Sequence, residues 1–231
     1  MTEPRQAIPA RQRGSEDPLT GLLVDYGGVL TNSLTDTMSA WCAADGVSYD
    51  GFLVVMRDLL GDAAYVETAT NPVHALERGE IAVPDFEREL ATRLRRPDGG
   101  PVPAEGLLTR MFAGFRQQPV MFDIVRRARR AGIRTGLLSN SWGNEYPREG
   151  FDEVFDIVVI SGEVGMRKPE AAIYRYAARE LGLPPEQCVF VDDLAPNIRG
   201  AAGVGMVGVH HVSAAETAAE LEVLLGVPLL G

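Results

Sequence analysis

Five side chains in this sequence can act together: Asp25, Ser139, Lys168, Asp192 and Asp193. Asp25 follows the apolar run 21–24, Ser139 follows 135–138, and Asp192 with Asp193 follows 188–191. Lys168 lies beyond a further run, 157–160. Three carboxylates gathered at neighbouring chain ends repel one another unless a cation sits among them. An all-oxygen ligand set without His or Cys suits a hard ion, and Mg²⁺ is the usual one beside phosphate. A lysine ammonium and a serine hydroxyl on the other side supply positive charge and a donor. Together these groups suit a phosphoryl group clamped between metal and ammonium, with a carboxylate facing phosphorus. An aspartate so placed can attack as a nucleophile and split one hard displacement into two easier ones. The pair Gly27-Gly28, just after the first run, fits a tight turn or a close backbone approach to a ligand.

Each piece also has a plain structural use. Asp25 can cap a helix or turn, Ser139 can serve as a turn hydroxyl, and Asp192 with Asp193 can cap the helix that follows. Lys168 has a further mark. Of 22 basic residues, 21 are Arg and Lys168 is the single Lys. Arg and Lys exchange freely on a solvated face but not where a compact, rotatable ammonium is needed.

The elements that position these residues alternate. Apolar runs at 21–24, 135–138, 157–160, 188–191 and 206–209 read as buried strands. Between the later ones, residues 122–131, 169–181, 197–203 and 214–225 read as helices. Arg126, Arg127, Arg129 and Arg130 sit near the end of the first, where cations suit the helix dipole. Strands separated by helices predict a doubly wound, Rossmann-like parallel sheet of the α/β class, with ligands at the carboxyl ends of its strands. Residues 33–116 differ. Phe52, Leu53, Met56, Leu59 and Leu60, and later Phe86, Leu90 and Leu94, recur at helical spacing, and no strand is evident. This predicts a helical insertion after the first strand, broken near Asn71-Pro72, Val83-Pro84 and 97–101. The expected layout is a flexible tail at 1–16, a core from 17–32 and 117–231, and a helical cap at 33–116.

The totals narrow the function. The 231 residues suit one medium domain carrying an insertion, with 45% hydrophobic residues and a net charge of −10. So acidic a chain repels nucleic acid and anionic membranes, and neither is expected as a partner. No stretch approaches the roughly 20 apolar residues of a membrane span. The N-terminal segment has no apolar signal core, so a cytoplasmic location is expected. Cys42 and Cys188 form no metal or disulfide pattern.

With these residues in place, the sequence resembles the haloacid dehalogenase superfamily. Its four motifs stand as LLVDYGGVLTNS at 22–33, LLSNS at 137–141, SGEVGMRKPEAAIY at 161–174 and FVDDLAPNIRGAAGVGM at 190–206. The segment LERGEIAVPDFEREL at 76–90 resembles the cap of the epoxide-hydrolase N-terminal phosphatase and glucose-1-phosphate phosphatase group. The resemblance implies Asp25 as nucleophile and Asp193 as a metal ligand, with Asp192 holding the metal or its water. It implies that the Gly27 carbonyl faces the metal and that Ser139 with the Asn140 amide holds phosphate. Lys168 would bridge the phosphate and the nucleophile. The expected reaction is Mg²⁺-dependent hydrolysis of a small phosphorylated metabolite through phospho-Asp25.

One position departs from the pattern. Most phosphatases of this superfamily carry Asp two residues after the nucleophile, as the acid that protonates the leaving group. Gly27 stands there, and losing a positioned acid typically costs about 10²–10⁴-fold. His74 and Glu77 in the cap are candidate substitutes, although a solvated helix face is the plainer expectation for both. His210 and His211 follow the last strand as candidate loop residues. Two alternatives stay open: a phosphate- and metal-binding pseudoenzyme, and a metal-free dehalogenase, against which the Asp192-Asp193 pair argues.

Overall fold

The computed structural model describes residues 18–60, 71–143 and 145–230. The expected tail therefore lies outside the described residues. Among the described residues, strand β1 (Gly21–Val24) is followed by the helices α1 (Leu34–Asp45), α2 (Tyr49–Leu60), α3 (Pro72–Glu77), α4 (Val83–Arg93) and α5 (Leu107–Phe112). Then come α6 (Pro119–Arg130), β2 (Arg134–Ser139), β3 (Ile157–Ile160), the short α7 (Ser161–Val164) and α8 (Ala171–Leu181). The chain closes with β4 (Cys188–Asp192), α9 (Ala195–Ala202), β5 (Val207–His210) and α10 (Ala214–Leu225).

The strands form a five-stranded parallel sheet in the order β3-β2-β1-β4-β5. The middles of its central strands are apolar, as fits a sheet whose two faces are both covered by helices. Side chains alternate between those faces. Leu22, Val24, Leu137, Val189 and Val191 pack on one side with α6 and α10. Leu23, Leu138 and Phe190 pack on the other with α8 and α9. The order reverses at β1, where the chain crosses to β2 on one side and β4 on the other. That reversal is where doubly wound sheets open a crevice at their carboxyl ends. The register pairs Val24 with Leu137 and with Val191, so the next residues, Asp25 and Asp192, emerge side by side.

The insertion has its own apolar cluster, built on Trp41, Phe52, Phe86, Leu90, Leu107 and Met111. Its helix starts follow local chemistry. The Ser33 side chain accepts from the Asp36 amide to cap α1, and the Asn71 side chain accepts from the Val73 and His74 amides to cap α3. Pro72 and Pro84 sit in the first turns of α3 and α4, where a missing N–H costs nothing. Phe86, Leu90 and Leu94 are buried as their spacing predicts, but Leu53 faces solvent.

Most boundaries differ from the sequence reading by a few residues. α7 is a difference in kind: a four-residue helix follows β3 directly, too short for any periodicity to show. His74 and Glu77 also differ, being buried rather than solvated.

Candidate active site

Asp25 stands one residue past β1, and its amide donates to the Val191 carbonyl at 2.9 Å, which continues the pairing with β4. One carboxylate oxygen, Oδ1, accepts from the Tyr26 amide at 2.7 Å and lies 2.8 Å from Lys168 Nζ. The same ammonium reaches Asp192 Oδ2 at 2.7 Å and lies 5.3 Å from the centre of the Phe190 ring. Lys168 is thus a buried strap between two strand-end carboxylates. Asp192 is held from several further sides: Oδ1 accepts from the Leu194 amide at 2.8 Å, and Asn197 Nδ2 lies 3.0 Å from both oxygens.

Asp193 completes the cluster from a half-buried position. One oxygen each from Asp25, Asp192 and Asp193 lies within 4.8 Å of the others. Gly28 makes this possible. It has φ +76°, and a Cβ there would meet Asp193 Oδ2 at 2.2 Å. The close approach at this glycine is to the protein's own Asp193 carboxylate.

The electrostatics follow from crowding. Burial, the largest influence, pushes the Asp25 carboxyl up to about 8; Lys168 opposes this, while Asp192 and Asp193 add to it. Asp193 rises to about 6, through burial first and Asp192 second. Burial pulls the Lys168 ammonium down, but Asp192 and Asp25 outweigh it and hold Lys168 charged. Three carboxylates against one ammonium leave a surplus of negative charge that a divalent cation neutralises, and oxygen donors alone suit a hard one. The residues present fit Mg²⁺.

Ser139 ends β2, buried, with Oγ 2.9 Å from the Tyr146 hydroxyl. Asn140 has a structural task. Its Nδ2 donates to the Lys168 carbonyl at 3.0 Å, and its Oδ1 accepts from the Lys168 amide at 2.9 Å. This reciprocal pair fixes the backbone beneath the ammonium. The structure thus joins the segments carrying Asp25, Ser139–Asn140, Lys168 and Asp192–Asp193 at one sheet edge.

A cavity of about 390 Å³ opens between that edge and the insertion. Asp25, Gly27, Ser139, Asn140, Lys168 and Asp193 line its floor. Gly27 adds backbone only, and a Cβ there would find just Phe115 Cζ within 4 Å, at 3.8 Å. Glu77 also lines the cavity, as a tie rather than a free acid. Its Oε2 lies 2.5 Å from Arg167 Nε, and its Oε1 accepts from Trp142 Nε1 at 3.0 Å. Next to it, Gly79 has φ +71°, and a Cβ there would meet the Gly162 carbonyl at 2.7 Å. These contacts seat α3 on the sheet domain. His74 is buried but does not line the cavity. His210 Nε2 lies 2.8 Å from the Asp193 carbonyl oxygen, and His211 Nδ1 lies 2.8 Å from Thr217 Oγ1. Neither lines the cavity.

Sequence reasoning missed Tyr146, Trp142, Arg167 and Asn197. Arg167 and Asn197 lie inside the quoted motifs, and their neighbours Lys168 and Asp193 were the available signal. Tyr146 and Trp142 lie in an irregular segment with no spacing to mark them.

Comparison with known proteins bears on the family and the fold. The chain is 29% identical over 215 residues to acyl-CoA dehydrogenase family member 10 of Mus musculus, covering 90% of this chain and 19% of that protein. It is 29% identical over 155 residues to the sesquiterpene phosphatase astK of Aspergillus oryzae, covering 65% of this chain and 77% of that one. Thus it spans about a fifth of the first relative and most of the second. Its fold is similar to that of a HAD-family enzyme from Bacteroides thetaiotaomicron, solved with magnesium and inorganic phosphate. The TM-score is 0.58 at 18% identity, covering 84% of this chain and 94% of that one. Residues 19–205 match the model of the haloacid dehalogenase-like hydrolases. That span runs from just before β1 to just before β5 and holds Asp25, Ser139, Lys168 and Asp193 in order, so the chain belongs to the haloacid dehalogenase-like hydrolase family.

Proposed function

We propose that this hydrolase is a Mg²⁺-dependent phosphatase that cleaves a small phosphate monoester through phospho-Asp25. The observation that carries the reading is Lys168 Nζ, joined to Asp25 Oδ1 at 2.8 Å and Asp192 Oδ2 at 2.7 Å. A carboxylate held this way keeps an oxygen for attack while an ammonium stands ready to neutralise an incoming phosphoryl oxygen. Similarity to a phosphatase of Aspergillus oryzae supports the same chemistry.

In the proposed sequence, an Asp25 oxygen forms a bond to phosphorus and the ester P–O bond breaks. The departing alkoxide takes a proton from water, since Gly27 has none to give, and leaves as the alcohol. Water then attacks the phosphorus of phospho-Asp25, releasing phosphate and restoring the carboxylate. Lys168 stabilises negative charge in both steps, and Ser139 Oγ with the Asn140 amide orients the phosphoryl oxygens. Asp25, Asp193 and the Gly27 carbonyl would hold Mg²⁺, with Asp192 contributing directly or through water, and the ion would neutralise phosphoryl charge. The insertion, 33–116, acts as a cap on a core of 17–32 and 117–231 and shields the site from bulk solvent while admitting the attacking water. Its separate apolar cluster and its contact through Glu77 support that role.

The test is Mg²⁺-dependent phosphate release from an activated aryl phosphate, with Asp25→Asn as control. Turnover that disappears in the variant and with chelator is the expected result. Gly27 favours a second reading, a phosphate-binding relative without turnover. Mg²⁺ binding with no phosphate release would select it. The crowding of Asp192 and Asp193 speaks against a metal-free dehalogenase.

A further inference from the structure

The two walls of the cavity differ in character. The floor, at the sheet edge, holds the charged groups. The opposite wall comes from the insertion and is apolar: Leu34 and Met38 of α1, Phe52, Leu53 and Met56 of α2, and Phe112 of α5. Among the described residues lining this wall, Glu77 is the single charged side chain, and it is already bound by Arg167 and Trp142. The Ser33 hydroxyl is engaged in capping α1. Among the described residues, Thr35 and the Tyr49 hydroxyl are the other hydroxyls the insertion brings to the cavity.

That inventory discriminates between substrates. A sugar or nucleoside brings several hydroxyl or amide groups into the site, and each must find a partner or lose the hydrogen bonds it made to water. Two hydroxyls among the described residues of an otherwise apolar wall are a poor match for that need. A hydrocarbon group asks for nothing but contact. The wall also leaves large apolar side chains in water where they line the cavity: Leu34 at 41% exposure, Leu53 at 41%, and Leu194 on the sheet side at 39%. Exposed leucines converging on one concave surface mark a place where an apolar ligand is covered.

Resting on the phosphatase reading, we propose that the substrate is an amphiphilic phosphate monoester. Its phosphate sits on the Asp25–Lys168 floor, and its hydrocarbon chain or ring system lies against α1 and α2. The chain runs out past Leu34, Leu53 and Leu194. The insertion thus selects by apolar area rather than by hydrogen-bond pattern.

The experiment measures kcat/KM for linear alkyl phosphates of increasing length, with glycerol phosphate and glucose 1-phosphate as polar comparators, at saturating Mg²⁺. Binding of the same compounds to the full-length Asp25→Asn variant is measured by calorimetry. Each buried methylene is expected to add about threefold to fourfold until the cavity is filled. Leu53→Asp, at a position already exposed, is expected to flatten that dependence, which is read as the ratio of octyl to ethyl phosphate within one enzyme. Turnover with no dependence on length, or with preference for the polar comparators, overturns the substrate class and leaves the phosphatase intact. Length-dependent binding to Asp25→Asn without turnover by the wild type sustains the apolar selection and overturns hydrolysis. Length-independent binding without turnover overturns both.

Discussion

Installing the missing carboxyl, Gly27→Asp, tests the mechanism at its weakest point. Gly27 does not share the left-handed backbone of Gly28, so an aspartate meets no conformational penalty there. Its Cβ would touch only Phe115 Cζ, at 3.8 Å, an ordinary contact. The side chain starts on the cavity wall, two residues past Asp25. A positioned acid is worth about 10²–10⁴-fold, or about 2.7–5.4 kcal/mol at 1.36 kcal/mol per decade. The gain grows with the basicity of the leaving group, because a weakly basic phenolate departs without help. The assay is kcat/KM across aryl phosphates of rising phenol pKa, extended to an alkyl phosphate. The wild type should slow steeply along the series. Gly27→Asp should match it for the most acidic phenols and exceed it by about a hundredfold or more for the alkyl ester. A fourth carboxylate beside Asp25, Asp192 and Asp193 raises the demand for cation, so rates are compared at saturating Mg²⁺. Parallel slopes for the two enzymes would refute the reasoning: the proton would already be supplied elsewhere, or residue 27 would not face the leaving group.

Three further outcomes are expected. Lys168→Arg should lower kcat/KM by at least a hundredfold despite conserving charge, since a planar guanidinium cannot replace an ammonium set 2.8 and 2.7 Å from two carboxylates; steady-state kinetics beside circular dichroism checks this. Arg167→Leu should destabilise the protein by about 3–5 kcal/mol, because Glu77 is left as a buried charge; the double variant with Glu77→Leu should recover part of the loss in denaturant titration. Metal affinity should depend on pH. Asp193 and Asp25, held up to about 6 and 8, keep protons in the metal-free fold that their unfolded forms release nearer 4. Metal-free stability should therefore fall as pH rises from about 4 to 8, while Mg²⁺ binding strengthens and releases protons. Calorimetry in buffers of different ionisation enthalpy reads the released protons, and none released at pH 6 would contradict the crowding.

The sheet was legible because both of its faces are covered. Strands such as 188–191 are apolar throughout, and the runs at 21–24, 135–138 and 188–191 each stop at a polar residue that, once buried, needs a partner. The site was legible for the same reason, since Asp25, Ser139 and Asp192 each stand where an apolar run stops. What the sequence hid depends on long-range meeting. Glu77 finds Trp142 across 65 positions and Arg167 across 90, and no local pattern announces either contact. The burial of His74 and Glu77 was misread on that account: a charged residue on a short helix looks solvated until its partner is known. The side chain of Asn140 was read only through its backbone amide, yet it clasps the Lys168 backbone 28 residues away.

Lys168 is the only lysine of this sequence, is 1% exposed, and is held at the cavity floor between two carboxylates. Amine-reactive reagents therefore find the Lys168 ammonium tied to two carboxylates as long as both ion pairs hold. Acylation of Lys168 requires the strap to leave both carboxylates, so its rate counts how often this one locus opens. A property usually sought by removing lysines one at a time is here intrinsic to the chain, and it turns the centre of the site into a built-in gauge of local unfolding.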